Sequence, residues 1–185
     1  MDALGVMREW WAGSARRLEG RLAGLTDEEL FWEPGRPCWS VRRDPAAPSG
    51  WQIDYDFPPP DLPPVTTIAW RLVHLANGNW IRAEHAFGPG LRMFPDLEVP
   101  GTAGTAVEHW IASRRQVESV LASDPDLDEP RPTPLGGPIP IGETLRILLD
   151  EQVHHGAEIG VLRDLYRLRS ARAVPDDGPK PRPLF

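Results

Sequence analysis

Residues 141–169 read IGETLRILLDEQVHHGAEIGVLRDLYRLR, and this stretch decides the fold. Apolar side chains recur along it every three or four residues, which is the period of an α-helix with one buried face. It follows the turn-forming run GGPIP and is the longest helical segment of the chain. We therefore expect it to lie at the centre of a helical domain.

Three further segments repeat the helical pattern. They cover about residues 2–24, 66–87 and 103–122, and each carries an apolar stripe. Thr66 follows two prolines and is the expected N-cap of the second of these helices. Apart from a short pairing expected around residues 51–55, no segment shows the alternation typical of a half-buried strand. Four amphipathic helices of this length predict an all-α protein, a four-helix bundle.

Residues 25–65 form an unusually long connection between the first two helices. A structureless loop of that length is rare in a compact domain unless it serves as a lid or a binding segment. The aromatic side chains that it carries supply packing area that a solvated linker does not need, and they are Trp32, Trp39, Trp51, Tyr55 and Phe57. Two compatible interpretations follow: the connection caps one end of the bundle, or it forms the wall of a pocket.

The composition excludes several classes of protein. The chain has 185 residues and a net charge of −7, which argues against binding to nucleic acid. It has no apolar run of the roughly 18 to 20 residues that a membrane span needs, and no secretory signal pattern, so we expect no membrane contact and a cytoplasmic location. The single cysteine, Cys38, excludes an internal disulfide and a cysteine-rich zinc site. We expect one domain over residues 1–169 and a mobile, proline-rich tail over residues 170–185.

The last helix carries a carboxylate and an imidazole on its apolar stripe. At about 100° per residue, Glu151 lies about 40° from His155, on the same face. Because burial of an unpaired carboxylate is costly, a divalent cation bound by this i, i+4 pair would compensate for it. The alternatives are a buried hydrogen bond between the two side chains and an ion pair of Glu151 with an arginine such as Arg71 or Arg82.

A metal site needs a third ligand, and His74 on the second helix is the candidate. On a helical wheel, however, His74 lies opposite the main apolar stripe of its helix. Either His74 is an exposed or half-buried histidine, or Trp70 and Ile81 form a second apolar patch under the long connection, across which His74 faces the last helix. We expect His154 at the margin of the last helix's stripe and His85 in solvent.

Other catalytic chemistries lack their motifs. Glu151-x-x-His154 has the spacing used by di-metal carboxylate bundles, but the chain has no second Glu-x-x-His. The zinc-protease motif His-Glu-x-x-His is absent, as are a nucleophile elbow and a glycine-rich phosphate loop.

Three stretches resemble the DinB superfamily of four-helix-bundle proteins, which is related to the mycothiol-dependent maleylpyruvate isomerase N-terminal domain and to bacillithiol transferases. They are LTDEELFWEPGRPCWSVR at residues 25–42, PPVTTIAWRLVHLANGNWIRAEHAFG at 63–88 and EQVHHGAEIGVLRDLYR at 151–167. The resemblance implies that His74, Glu151 and His155 bind one divalent metal ion. Many relatives have histidine where Glu151 stands, whereas the isomerase branch has glutamate.

The resemblance also implies a reaction. Three protein ligands leave one coordination position open, as in catalytic zinc sites. The family precedent is activation of a low-molecular-weight thiol for attack on an electrophile. Zinc or nickel is the expected metal, but nitrogen and oxygen ligands also accept iron and manganese. Mycothiol is the expected thiol, because Lys180 is the only lysine among 20 basic residues and suggests a GC-rich coding sequence. In this scheme Arg82 or Arg71 would bind a carboxylate of a substrate, and Glu158 would orient His155.

Two other functions fit the same residues. One is a metal-dependent hydrolase that activates water, and the other is a non-catalytic metal-binding or ligand-binding protein of a stress response. A homodimer is also expected, from the habit of the family and from the eight tryptophans of the chain.

Overall fold

The computed structural model describes residues 2–58 and 60–172. Its helices are α1 Ala3–Leu22, α2 Asp27–Leu30, α3 Ile68–Phe87, α4 Ala103–Ala122 and α5 Ile141–Arg172. Its strands are β1 Cys38–Trp39, β2 Val41–Arg43, β3 Trp51–Ile53, β4 Val65–Thr66, β5 Pro130–Thr133 and β6 Gly136–Pro140. Across these described ranges, no helix is both long and apolar enough to cross a membrane.

The four long helices lie where the apolar periodicity predicts them, with small differences at their ends. Thr67, not Thr66, is the N-cap of α3, and its hydroxyl oxygen accepts the backbone N–H of Trp70 at 3.2 Å. Thr66 lies in β4 instead. At the other end of the chain, α5 continues to Arg172, beyond the expected end at residue 169. The rest of the expected tail, residues 173–185, lies outside the described residues.

The fold is mostly helical, but the expected all-α class is too narrow because three two-stranded sheets are present. β1 and β4 pair in parallel, whereas β2 pairs with β3, and β5 with β6, in antiparallel fashion. The pairing expected around residues 51–55 corresponds to β3. The strands have two to five residues, which is too short for an alternating pattern to show, and prolines obscure β5 and β6.

The core lies between the long helices. α3 packs against both α4 and α5, and α1 also packs against both of those helices. One buried cluster surrounds Leu72, Trp110 and Ile159, and a second surrounds Trp11 and Leu148. Because α3 is covered by two helices, it buries side chains around most of its circumference. The position of a residue such as His74 relative to one apolar stripe therefore does not show whether its side chain is buried.

Candidate metal site

The long connection is organised, and part of it packs on the N-terminal half of α3. The indole N–H of Trp70 donates a 2.6 Å hydrogen bond to the carbonyl oxygen of Asp54. Trp39 stacks on Trp70 with ring centroids 5.8 Å apart, and Tyr55 lies 5.7 Å from Trp39. Trp70 is consequently only 6% exposed. The connection therefore covers the patch at Trp70, as one interpretation of the sequence expected.

Next to this aromatic wall, α3 and α5 bring His74, Glu151 and His155 together. One carboxylate oxygen of Glu151, Oε2, lies 3.3 Å from Nε2 of His74 and 3.0 Å from Nε2 of His155. The potential ligand atoms of the three residues all lie within 4.8 Å of one another. The imidazole rings are almost perpendicular, at 89°, with centroids 5.0 Å apart. Two ring nitrogens and a carboxylate oxygen thus converge on one small volume.

Two neighbours fix the ring of His155. Its Nδ1 lies 2.7 Å from Oε2 of Glu158 and 3.0 Å from a guanidinium nitrogen of Arg71. Glu158 accepts, so Nδ1 carries a proton, and Nε2 is the ring nitrogen that faces Glu151. Arg71 pairs with the same Glu158 oxygen at 2.6 Å and balances its charge. The orienting role expected for Glu158 therefore has the geometry that it requires.

The ring of His74 is held by stacking. Trp70 lies one helical turn before it, and the two rings are 4.7 Å apart and inclined by 10°. The i, i+4 spacing of these residues in the sequence was the available signal for this contact, but helical spacing alone does not say which of two rings is buried. The positioning role of Trp70 was not anticipated, and neither was that of Trp39 and Tyr55 behind it.

Hydrogen bonding, charge and burial shift the protonation of the cluster. The pKa of Glu151 is held far below its ordinary value, first by the hydrogen bond from His155 and then by that from His74. Burial opposes the charged form of His155, but its hydrogen bonds with Glu151 and Glu158 outweigh burial and raise its pKa. Without a cation, the carboxylate of Glu151 is thus stabilised by hydrogen-bonding protons of the two imidazole rings. A divalent cation at this position would replace such a proton as the balancing charge.

Other residues considered in the sequence lie beside the cluster or away from it. The side chain of His154 is 59% exposed, lies 3.2 Å from the second oxygen of Glu158 and stacks on the ring of His155, with centroids 4.7 Å apart. His154, His155 and Glu158 form a second group whose potential ligand atoms lie within 4.8 Å of one another, but His154 is the exposed member of it. His85 donates a hydrogen bond of 2.9 Å to the carbonyl oxygen of Arg92. Arg82 lines a small cavity against β5 and β6 and does not contact the cluster. Arg71 pairs with Glu158, and among the residues that the structure describes Glu151 forms no ion pair with an arginine; of the two alternatives to a metal, the structure contains the hydrogen bond between Glu151 and His155.

A comparison with protein families matches residues 11–159 to the DinB superfamily. The chain belongs to the DinB superfamily. The matched region includes α3 and most of α5, and with them all three residues of the candidate site. No curated protein and no solved structure gives a significant match to the chain.

Proposed function

We propose that the protein binds one divalent metal ion through His74, Glu151 and His155. The observation that carries this proposal is the convergence of two histidine Nε2 atoms on a single carboxylate oxygen, at 3.0 and 3.3 Å. These residues come from two helices and from positions 77 residues apart, so the cluster is not a consequence of local helix geometry alone. DinB superfamily proteins often bind metals, which supports the same assignment.

The donor set fits the proposed ion. Two imidazole nitrogens and one carboxylate oxygen are the ligands of many catalytic zinc sites, and borderline ligands of this kind also bind nickel. The orientation of His155 by Glu158 matches the carboxylate–histidine arrangement found behind metal-bound imidazoles. We infer zinc or nickel as the metal.

The surroundings of the cluster favour a reactive site over a closed structural one. His74 and Glu151 keep 28% and 34% of their side chains exposed, so a small molecule can reach the ligands from solvent. With three protein ligands, a bound metal would offer an open position at which a thiol or water loses its proton near neutral pH. Trp70 and Glu158 hold the two imidazole rings, and Trp39 of the connection stacks against Trp70, on the far side of the site from these ligands.

We further propose a low-molecular-weight thiol, mycothiol, as the molecule activated here: its sulfur loses its proton to solvent and attacks a small electrophile, so that a C–S bond forms as the leaving group of the electrophile departs. The resemblance to thiol-dependent relatives supports this choice. A metal-dependent hydrolase would use the same open position for water. A stress-response protein that binds a metal ion or a small molecule without catalysis would need only the three metal-binding residues. Within this proposal the protein acts in the cytoplasm on small molecules, as a homodimer, and without nucleic acid or membrane partners.

Metal content tests the site directly. After dialysis against a weak chelator, we expect about one zinc or nickel ion per chain, measured by elemental analysis. His74→Ala and His155→Ala should lose the ion, because each removes one of only three ligands. His154→Ala is the matched control on the same helix and should keep it. An unchanged metal content in His155→Ala, or equal loss in His154→Ala, contradicts the ligand assignment.

The reaction is tested with the metal-loaded protein. Mycothiol and a fluorogenic alkylating electrophile should give a thioether faster with the protein than without it, and His155→Ala should abolish the difference. Ester or amide hydrolysis without a thiol requirement would instead favour the hydrolase. Stoichiometric metal with neither activity would favour the binding protein.

A further inference from the structure

Arg82 of α3 is a half-buried cation without a counter-ion. The other buried or half-buried arginines of the long helices each pair with a carboxylate, in the pairs Arg8–Asp124, Arg71–Glu158, Arg114–Glu19 and Arg163–Glu29. Within residues 2–58 and 60–172, Arg82 forms neither an ion pair nor a hydrogen bond. Because a partly buried charge is costly without a partner, an anion from outside the chain would be stabilised at this position.

The guanidinium of Arg82 is open at its far end. Its Nε is enclosed by protein and cannot meet a ligand. The two terminal nitrogens have no partner among the described residues and are not enclosed, so they stay within reach of solvent. The β5–β6 hairpin forms the wall beside them, with Pro132 and Ile139. Two neighbouring N–H groups of a guanidinium match two oxygens of a carboxylate or phosphate.

Arg82 and the metal site lie along the same edge of the contact between α3 and α5. His74, Gly78 and Arg82 follow one another at four-residue intervals, which places them along one side of α3. Thr144 of α5 lines the same small cavity as Arg82, seven residues before Glu151. At 1.5 Å per residue, Arg82 lies about 12 Å along α3 from His74, and Thr144 lies about 10 Å along α5 from Glu151. The two helices thus give consistent separations.

Gly78 keeps the space between these two ends clear. It lies midway between His74 and Arg82 in the interior of α3, where glycine is the poorest helix former after proline. A Cβ at this position would meet no packed neighbour within 4 Å, so no close contact requires a glycine. Its missing side chain leaves room for a ligand that extends from the metal site to Arg82.

We propose that Arg82 binds an acidic group of a substrate whose reacting end lies at the metal site. The inference rests on the proposed function, because it takes that site as the place of reaction. It assigns a substrate class: an elongated molecule with a carboxylate or phosphate roughly 10 Å from its reacting atom. Arg71 is not available for this role, since it is bound to Glu158. Arg82 is a positioning residue that selects a substrate by charge and length.

Calorimetric titration of the zinc-loaded full chain with 8-mercaptooctanoate tests the inference without measuring a reaction. The thiol group is directed to the metal site, and the extended chain carries the carboxylate to Arg82. We expect this acid to bind at least tenfold more tightly than 8-mercaptooctan-1-ol, which has the same length and no charge. 3-Mercaptopropionate is charged but too short to reach Arg82, and it reports binding at the metal site alone.

Variants locate the acidic group. Arg82→Met should erase the preference for the acid and leave the affinities of the alcohol and of 3-mercaptopropionate unchanged. Gly78→Leu should weaken both long probes and spare the short one, and it should fold normally because the position has room and leucine is the better helix former. Arg115→Met removes an exposed arginine from α4 and is the control, so it should keep the full preference.

The outcomes separate this inference from the proposed function. If acid and alcohol bind equally, or if the preference for the acid survives in Arg82→Met, the inference is overturned, whereas zinc-dependent binding of the alcohol still supports the metal site. If no probe binds better with zinc than without it, the proposed function fails and the inference fails with it.

A kinetic comparison identifies the reactant that carries the acidic group. With mycothiol as the thiol, an electrophile with a carboxylate is compared with its methyl ester. A KM that rises in Arg82→Met for the acid alone assigns the group to the electrophile. A rise only for a carboxylate-bearing thiol paired with the ester assigns it to the thiol.

Discussion

Glu158 shows how a residue outside the ligand set can control the candidate site. It accepts the Nδ1–H of His155 at 2.7 Å, and it also neutralises Arg71, which lies 3.0 Å from the same ring nitrogen. Glu158→Ala should therefore weaken metal affinity by about 10- to 100-fold, since the ring loses its orientation and keeps a cation beside it. Competition with a zinc-binding dye measures this. Glu143→Ala, on the same helix, should leave the affinity unchanged, and an unchanged affinity in Glu158→Ala refutes the orienting role.

Cys38 gives a pH-dependent prediction at the same scale. Burial, assisted by the negative charge of Glu33, raises the pKa of its thiol to about 11. A raised pKa keeps the thiol protonated at pH 8. The thiolate fraction there is lower than that of an ordinary cysteine by about 100-fold, and the higher nucleophilicity of a basic thiolate recovers about tenfold of the rate.

Alkylation of Cys38 by iodoacetamide at pH 8 should therefore be about tenfold slower in the folded protein than in urea. The rate should continue to rise as the pH approaches 11. Because Cys38 is the only cysteine, the modified mass reports this residue without ambiguity. A plateau of the folded-state rate near pH 9 is the result that would disprove the shift.

The candidate ligands differ in how far the sequence could identify them. Glu151 and His155 could be identified from helical phase, because two residues four positions apart on one apolar stripe are neighbours. His74 could not be identified in this way, because α3 packs against two helices and the main apolar stripe of α3 faces away from the site. The family resemblance indicated His74 as a ligand. The partner of Arg71 was also unpredictable, since a long side chain can reach several carboxylates and only the packed structure selects Glu158 over Glu151.

At the scale of elements, the short helix α2 is held to the rest of the protein by a buried ion pair. Arg163 of α5 binds both carboxylate oxygens of Glu29, at 2.7 and 2.8 Å, and also donates to the carbonyl oxygens of Arg21 and Ala23 at the end of α1. The side chains of Arg163 and Glu29 are 2% and 5% exposed. One guanidinium thus joins three helices.

Arg163→Met should lower the free energy of unfolding by about 3–5 kcal/mol, because the buried Glu29 carboxylate loses both of its close hydrogen bonds and keeps only the more distant, exposed Arg167. Urea denaturation followed by circular dichroism measures the loss. Arg167→Met is the matched control: its guanidinium lies 3.7 Å from the same carboxylate but is 56% exposed, so the change should be under about 1 kcal/mol. Equal effects of the two substitutions would show that the buried pair has no special role.

The elements themselves divide into those with a sequence signal and those without one. The long helices repeat their apolar period over five or more turns, so their positions follow from sequence. The β1–β4 and β5–β6 pairs have no such signal, since strands of two to five residues are too short for alternation. The β1–β4 pair depends on a tertiary contact. The backbone N–H of Thr67, which caps the start of α3 and directly follows β4, donates to the carbonyl oxygen of Trp39 in β1 at 3.0 Å.

At the scale of the whole molecule, the candidate site joins two helices that lie far apart in the chain. His74 belongs to α3, Glu151 and His155 belong to α5, and the residues bridged are 77 positions apart. An unfolded chain does not hold the three ligands together, so a metal that binds them stabilises only the folded state. Metal binding and global stability should therefore be linked.

At a free zinc concentration 100 times the dissociation constant, this linkage amounts to about 2.7 kcal/mol. For a chain of this size, that corresponds to a rise in Tm of about 5–11 °C over the metal-free protein, measured by differential scanning calorimetry. His154→Ala should show most of the rise, because His154 is not one of the three proposed ligands. His74→Ala should show almost none, even if its metal-free Tm is lower than that of the native chain, since only the difference between the metal-free and metal-loaded states reports the linkage. A full zinc-dependent rise in His74→Ala would mean that the metal does not join α3 to α5.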